Sequence, residues 1–415
     1  MGSLGEQFDV IVVGAGVMGS SAAYQLAKRG KKVLLLEQFD FLHHCGSSHG
    51  ESRTLRATYP EAFYPAMVME SVKLWQEAES EIGYKVYFKT KQLDMGPTDD
   101  ASLLAVVASC QLNSIPHRVL NPRQLLDEFS DRFQLPESWV AVVTEVGGVI
   151  KPTKAVSMYQ TLALRYGAVL KDNMEVTGIE KDGVNGGGGG LVVSTVNGET
   201  FWGHKCVVTA GAWTKKLVQR VRGMALPIEA VETNVLYWRI KEEHEAAFTI
   251  AGGFPTFASY GRPYIYGTPA LEYPGLIKIP LHGGVACDPG RRAWREPAPA
   301  TLESVREWIR GTFGERVDAA GPAMTQSCLY SMTPDEDFVI DFLGGELGED
   351  VVVAGGFSGH GFKMAPAVGR IVADMVMTGE AQGVELQQFE LGRFGRNPKG
   401  NVKSFQEQVG IVTHH

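Results

Sequence analysis

Residues 8–38, FDVIVVGAGVMGSSAAYQLAKRGKKVLLLEQ, constrain the fold of this chain more than any other stretch. An apolar run from Val10 to Val13 meets the glycine-rich turn Gly14-Ala15-Gly16-Val17-Met18-Gly19. A helical pattern then reaches Arg29, and a second apolar run, Val33 to Leu36, closes on Glu37. This is a complete βαβ unit. Runs that are apolar at every position suit parallel strands covered on both faces by helices. Gly14 permits the tight turn, Gly16 lets the backbone approach a pyrophosphate, and Gly19 lets the helix lie against the strand. Phosphates then meet the free N–H groups and the positive dipole end of the helix. The acid 18 residues after Gly19 ends the second strand, where it accepts hydrogen bonds from an adenosine ribose and repels a 2′-phosphate. The unit therefore predicts NAD or FAD and disfavours NADP.

The chain has 415 residues, enough for two domains or for one split by another. A net charge of −8 argues against a nucleic-acid surface, and 44% hydrophobic with 21% charged residues describes an ordinary globule. There is no apolar run long enough to span a membrane, and MGSLGEQ has neither a basic start nor an apolar core, so an intracellular soluble protein is expected. The five cysteines, Cys45, Cys110, Cys206, Cys287 and Cys328, are scattered without C-x-x-C spacing; neither disulfides nor zinc is expected. The glycine run Gly186 to Gly190 reads as a hairpin tip.

After Glu37 the loop FDFLHHCGSSHGESRTLRATYPE carries Arg53 and Arg56. A helical turn starting near Ser52 would put both guanidinium groups on one face, which is a solvated basic turn or a ligand site at the carboxyl edge of the sheet. Met67, Val68, Val72, Leu74 and Trp75 indicate an amphipathic helix within 62–81, and residues 89–149 mix short elements without a motif. Residues 147–170 read as a turn followed by a helix, and a strand follows from Met174 to Glu180. Lys205 to Thr209 reads as a strand ending in the small residues Ala210-Gly211-Ala212, a return to the nucleotide-binding unit or simply a tight junction. Long strand patterns, Val231 to Ile240 and Leu276 to Leu281, suggest an antiparallel substrate sheet.

Near the end, Val351 to Ala354 forms a buried strand, Gly355 to Gly361 a glycine-rich loop, and Met364 to Met377 a helix. This second strand, glycine loop and helix aims another helix N-terminus at a ligand. An NAD enzyme has no use for it. A flavin enzyme does, because the isoalloxazine lies far from the adenosine and needs donors where negative charge develops.

Together GAGVMG with Glu37, HGESR, TAGAW, CLYSMTPDEDF and GFSGHGFK, in that order, resemble the amine-oxidising flavoproteins of the D-amino-acid-oxidase superfamily. Within it the likeness is to the sarcosine and pipecolate oxidase branch, over roughly residues 8–395. The resemblance implies a mixed α/β fold: a Rossmann-type FAD-binding domain with a parallel sheet, built from residues 1–88, 150–220 and 322–397. An antiparallel-sheet substrate domain would take 89–149 and 221–321, leaving 398–415 as a tail.

Cys328, in C-x-Y-x-M-T-P-D, matches the cysteine joined covalently to FAD in that branch. Arg56 and Lys363 match the pair that holds the substrate carboxylate, a planar fork and a point charge. Arg53 and His49 match residues beside the flavin ring, and Lys278 and His282 match groups at the ring face. Tyr266 and Tyr330 match pocket tyrosines, with Tyr264 as the alternative to Tyr266. Gly14, Ala15, Gly16, Met18, Gly19, Glu37, Ser48, Arg53, Val176, Gly211, Trp213, Gly359, Gly361, Phe362 and Lys363 fall in the segments that surround FAD in that family. HGESR departs conservatively from the bacterial HGDTR.

The resemblance implies oxidation of a secondary amino acid, L-pipecolate or sarcosine, with a hydride equivalent passing from the carbon next to nitrogen to flavin N5. The imine is the product and O2 is reduced to H2O2. The alternatives are a dehydrogenase with another acceptor and a non-catalytic FAD-binding module. The expected partners are a small amino acid and O2, with no metal, nucleic acid or membrane, and the protein is expected to be a monomer. The resemblance implies a peroxisomal location, but the chain ends Val412-Thr413-His414-His415 and not in an S-K-L type signal, so the expectation is peroxisomal or cytoplasmic.

Overall fold

The computed structural model describes residues 6–183, 189–403 and 405. Gly186 to Gly188 of the expected hairpin tip, and most of the expected tail, lie outside the described residues. The strand Gln7–Val13 sits between two parallel neighbours, Val33–Leu36 and Thr200–Val208. Outward on one side Val169–Lys171 extends the sheet; on the other come Val351–Gly355, also parallel, and the antiparallel edge strand Val339–Phe342. Residues of the central strands alternate between two cores. Val10, Val12 and Leu35 pack with the helices Val17–Lys28, Pro152–Arg165 and Ala365–Thr378. Ile11, Val13, Leu34 and Leu36 pack on the other face against the hairpin Val176–Lys181/Leu191–Thr195 and the helix Thr214–Arg222. Each such Val or Leu contributes about 1.5–3 kcal/mol by its burial, which is why polar residues are missing from both runs.

The remaining strands form two sheets. In the larger, Trp139–Ile150 lies antiparallel to Tyr87–Pro97, Arg53–Arg56 and His117–Leu120. Thr256–Ser259 adds to Tyr87–Pro97 in parallel and carries Ile265–Gly267, so this sheet is mixed. In the smaller, Glu229–Arg239 pairs antiparallel with Leu276–Lys278, Val285–Ala286 and Met324–Met332. Between the two lies an aromatic core of Phe129, Phe133, Phe248, Phe254, Phe257, Phe313 and Trp238, which accounts for the aromatics of the third quarter of the chain.

Two expectations are corrected. Arg53–Arg56 is a strand and not a helical turn: it is held to Trp139–Ile150 in the register Arg53↔Ile150 to Arg56↔Gly147. Main-chain pairing with a strand far along the chain outweighs the weak helical preference of RTLR. For the same reason Gly147 to Ile150 is the end of a strand and not a turn.

Candidate active site

The first glycine-rich loop is held by backbone contact that only glycine allows. Gly14 has φ of +100°, and a Cβ there would sit 2.5 Å from the carbonyl oxygen of Thr209; a Cβ on Gly19 would lie 1.9 Å from the Gly14 carbonyl. A Cβ on Gly16 would approach Ser48 Oγ to 3.0 Å, the same oxygen that accepts from the N–H of Val17. Glu37 is 5% exposed and ties this loop to the second strand, accepting from the Ala15 N–H at 2.9 Å and the Phe39 N–H at 3.1 Å. His43 Nε2 is 3.3 Å away. A cleft of about 230 Å³ runs from here past Met18, Ser48, Val176, Gly211 and Trp213 to Arg53, Cys328, Gly359, Gly361 and Phe362. Gly19 does not line the cleft, and Lys363 lines a second cavity. That cavity, of about 490 Å³, shares Arg53, Cys328, Tyr330, Gly359 and Phe362 with the first. A long groove starting at a glycine cradle and opening into a separate chamber fits a dinucleotide whose reactive end meets a small substrate.

At the seam, Lys278 is 3% exposed and donates to the Ser52 carbonyl at 2.9 Å. Burial and then the neighbouring Arg53 push its ammonium down to about 7. Arg53 Nη2 bonds the carbonyls of Ser47 and His49. Among the described residues the buried ring of His49 finds no hydrogen-bond partner on either nitrogen, and it stacks at 5.0 Å on His44. Burial, and then Arg53, lower its pKa to about 3, so the imidazole is neutral. His282 sits 5.4 Å from the Tyr330 ring and 5.6 Å from the Tyr264 ring, its pKa lowered by burial. Tyr266 and Tyr330 share a hydrogen bond of 3.2 Å.

Deeper in the chamber, Arg56 donates to the Thr58 carbonyl, to Tyr260 Oη at 3.3 Å and to Tyr264 Oη at 3.4 Å, and stacks 4.6 Å from the Tyr59 ring. Lys363 donates to Tyr59 Oη at 2.9 Å and to the His360 carbonyl at 2.7 Å; burial and then Arg56 hold its pKa well below the ordinary lysine value. The chamber therefore gathers Arg53, Arg56, Tyr266, Lys278, His282, Tyr330 and Lys363 on its wall. His49 adjoins it through Arg53. Sequence reasoning missed Tyr59, Tyr260, His360 and Asp94. His360 stands inside the GFSGHGFK motif, and Asp94 is an acid between Leu93 and Met95. The Asp94 carboxyl is fully buried, raised to about 6 by burial and drawn down again by Arg56.

This fold and this pair of joined cavities fit an FAD-dependent oxidoreductase. The family model for FAD dependent oxidoreductases (DAO) matches residues 9–375, and the chain belongs to that family, as an FAD-dependent enzyme that oxidises amines. It is 64% identical over 405 residues to a probable sarcosine oxidase of Arabidopsis thaliana, covering 97% of this chain and 96% of the relative. It is 34% identical to the peroxisomal sarcosine oxidase of Homo sapiens, covering 93% of this chain and 96% of that one. Among solved structures, the L-proline dehydrogenase from P. horikoshii superposes with a TM-score of 0.78 at 23% identity, over 94% of this chain and 98% of that one, a likeness of fold.

Proposed function

We propose that this protein is an FAD-dependent oxidase of secondary amino acids, taking L-pipecolate, sarcosine or both. The flavin, bound through Cys328, would accept a hydride equivalent from the carbon next to nitrogen and pass electrons to O2, giving H2O2 and an imine. The observation that carries this reading is the chamber itself, where half-buried Arg56 and buried Lys363 stand beyond Lys278 and Cys328, at a distance from the glycine cradle. Arg56 presents a fork suited to a carboxylate, pre-set by the Tyr260 and Tyr264 hydroxyls and by the Thr58 carbonyl. Lys363 adds a point donor. Positioning of this kind supplies much of the barrier lowering when the reacting carbon must be held at one place.

The Tyr266–Tyr330 hydroxyl pair and the ring of His282 bound the space beside the seam. Lys278, with its ammonium beside Arg53, puts positive charge where O2 becomes an anion. Arg53 faces the Cys328 sulfur, placing a cation beside the atom that bonds to the cofactor. The peroxisomal human and mouse relatives support a peroxisomal location, with the cytoplasm as the alternative. No helix among the described residues is long and apolar enough to cross a membrane.

An aerobic panel of sarcosine, L-pipecolate, L-proline and larger N-methyl amino acids, read by O2 uptake and peroxide, tests the proposal. Peroxide formation with a secondary amino acid supports it. Reduction of an artificial dye without O2 uptake would make the protein a dehydrogenase, and an absence of flavin bleaching with every amine would make it a binding module.

A further inference from the structure

A secondary amino acid enters neutral water as an ammonium carboxylate, but its nitrogen must be unprotonated before it can share a lone pair with the carbon that loses hydride. The amine proton therefore has to pass from the deep end of the chamber, where Lys363 and Tyr59 are buried, to its mouth, where Glu336, Gly359 and Lys403 are exposed. Lys363 Nζ bonds to Tyr59 Oη at 2.9 Å, Tyr59 Oη bonds to His360 Nδ1 at 3.2 Å, and His360 Nε2 bonds to the Glu336 carbonyl at 2.9 Å. A carbonyl can only accept, so Nε2 carries the imidazole proton and Nδ1 is the acceptor. Tyr59 then donates to Nδ1, the nearer partner, since the His360 carbonyl is 3.4 Å away and already takes a proton from Lys363 at 2.7 Å. Every hydrogen bond in this chain points the same way. It runs from the buried amine of Lys363 to an exposed residue, Glu336.

We propose that Lys363, Tyr59 and His360 form a proton relay that takes the proton from the substrate's ammonium group and delivers it to solvent beside Glu336. A neutral lysine amine has two N–H bonds and one lone pair. Tyr59 and the His360 carbonyl take both N–H bonds. The lone pair is left for the cavity that Lys363 lines. The ammonium transfers a proton to it, leaving free amine and a lysine cation. That cation gives a proton to Tyr59 Oη as the Tyr59 proton moves to His360 Nδ1. The imidazolium releases its Nε2 proton to water and is left as the Nδ1–H tautomer; when the half-buried ring turns to solvent, Nδ1 loses its proton to water and Nε2 takes one back, which restores the starting tautomer. One proton leaves and no group keeps a net change.

The charged groups around the relay favour this traffic. Lys363 feels burial and Arg56, both of which favour the neutral amine at rest. His360 feels burial, Lys363, Lys403 and Arg56, all of which make its imidazolium short-lived, while only its bond to the Glu336 carbonyl opposes them. Tyr59 is raised by burial and lowered by Arg56, with Glu61, Tyr264 and Asp94 opposing Arg56. An arriving carboxylate favours the cation on Lys363, so binding itself draws the proton across.

This inference rests on the proposed oxidation of secondary amino acids, and the experiment separates the two. Holoenzyme is mixed anaerobically with L-pipecolate and with sarcosine, and flavin bleaching and proton release to a pH-indicator dye are followed together. If the wild type is not bleached by any secondary amino acid, the oxidase reading fails and the relay falls with it. If the wild type is bleached, Tyr59→Phe should slow both signals about tenfold or more near neutral pH, and the deficit should shrink as pH rises toward the amine's own pKa. His360→Gln, which keeps polar atoms but cannot hold a second proton, should show the same pH-dependent deficit. Tetrahydrofuran-2-carboxylate, which has the carboxylate but no amine, should bind these variants as it binds the wild type. A deficit equal at all pH values, or a matching loss of tetrahydrofuran-2-carboxylate binding, overturns the relay.

Discussion

The sulfur of Cys328 lies 3.7 Å from Nη2 of Arg53, and the same nitrogen is fixed by the carbonyls of Ser47 and His49 at 2.8 and 2.7 Å. A cation that cannot swing away is thus held against the one cysteine that lines both cavities.

Acid-precipitated protein should accordingly stay yellow, with its mass raised by one FAD. Cys328→Ser should release the flavin on precipitation, and Arg53→Met should slow attachment without removing the sulfur. Covalent flavin retained in Cys328→Ser would disprove the assignment.

Hydrogen bonds to charged groups contribute roughly 1.5–3 kcal/mol, so Arg56→Ala should weaken substrate binding about ten- to a hundredfold. An amine without a carboxylate should be a poor ligand for the wild type and lose little more in the variant. Titration of the flavin absorbance with both ligands decides it; equal losses would assign Arg56 a structural role through Tyr59, Tyr260 and Tyr264.

Lys278→Met keeps the length of the side chain and deletes its charge. Removal of one preorganised charge-stabilising group typically costs ~2.7–4 kcal/mol, or about a hundred- to a thousandfold. In stopped flow, reoxidation by O2 should slow by that factor and anaerobic reduction far less. The same change should raise thermal stability. Lys278 titrates at about 7 in the fold against 10.5 in the unfolded chain, so between those values the unfolded chain binds the extra proton. Wild-type stability therefore rises with pH across that window. The gain in Tm from Lys278→Met should be largest below the lower value and fade toward the upper. A Tm unchanged at every pH would mean that Lys278 is not desolvated.

Arg393 and Asp335 form a buried pair at 2.7 Å, with the Asn401 N–H on the same carboxylate at 2.8 Å. Burial raises the Asp335 carboxyl, but Arg393 and Asn401 outweigh it and hold it below its ordinary value of 3.8. Its contribution is thus present above that value and lost as pH falls through the folded pKa. Arg393→Ala leaves a buried charge alone and should cost about 3–5 kcal/mol near neutral pH. Denaturant melts should show the gap narrowing in acid, where the carboxyl is protonated in both proteins. A constant gap would put the loss down to packing.

Gly14, Gly19 and Glu37 are legible in the sequence because each does a local job: close backbone approach excludes any side chain, and an acid at a strand end meets the loop it follows. The second glycine loop, Gly355 to Gly361, is legible on the same terms. Arg53–Arg56 misleads because its structure is imposed by Trp139–Ile150, and no local pattern names a partner so far along the chain. Tyr59 and Tyr260 are invisible for a related reason. Tyr260 meets Arg56 only when strand Thr256–Ser259 adds to Tyr87–Pro97, and Tyr59, though close to Arg56 in the chain, meets Lys363 and His360 only through the fold. Asp94 is camouflaged by its strand, where period-two alternation reads an inward acid as a solvent-facing one.

The order of strands in the nucleotide-binding sheet fixes a timetable for biosynthesis. Gln7–Val13 is among the first segments to leave the ribosome, but its neighbour Thr200–Val208 follows much later, and Val351–Gly355 later still. Until then the nascent chain carries open strand edges beside Val10 to Val13, surfaces that invite aggregation and chaperone capture. The helix Ala365–Thr378 comes after all of these strands, and Gly369 meets Ser21 so closely that a Cβ would sit 2.3 Å from its hydroxyl. A chain stopped before that helix would leave the first glycine loop without its covering layer, so a premature stop codon even late in the message should yield a product that neither holds flavin nor escapes proteolysis.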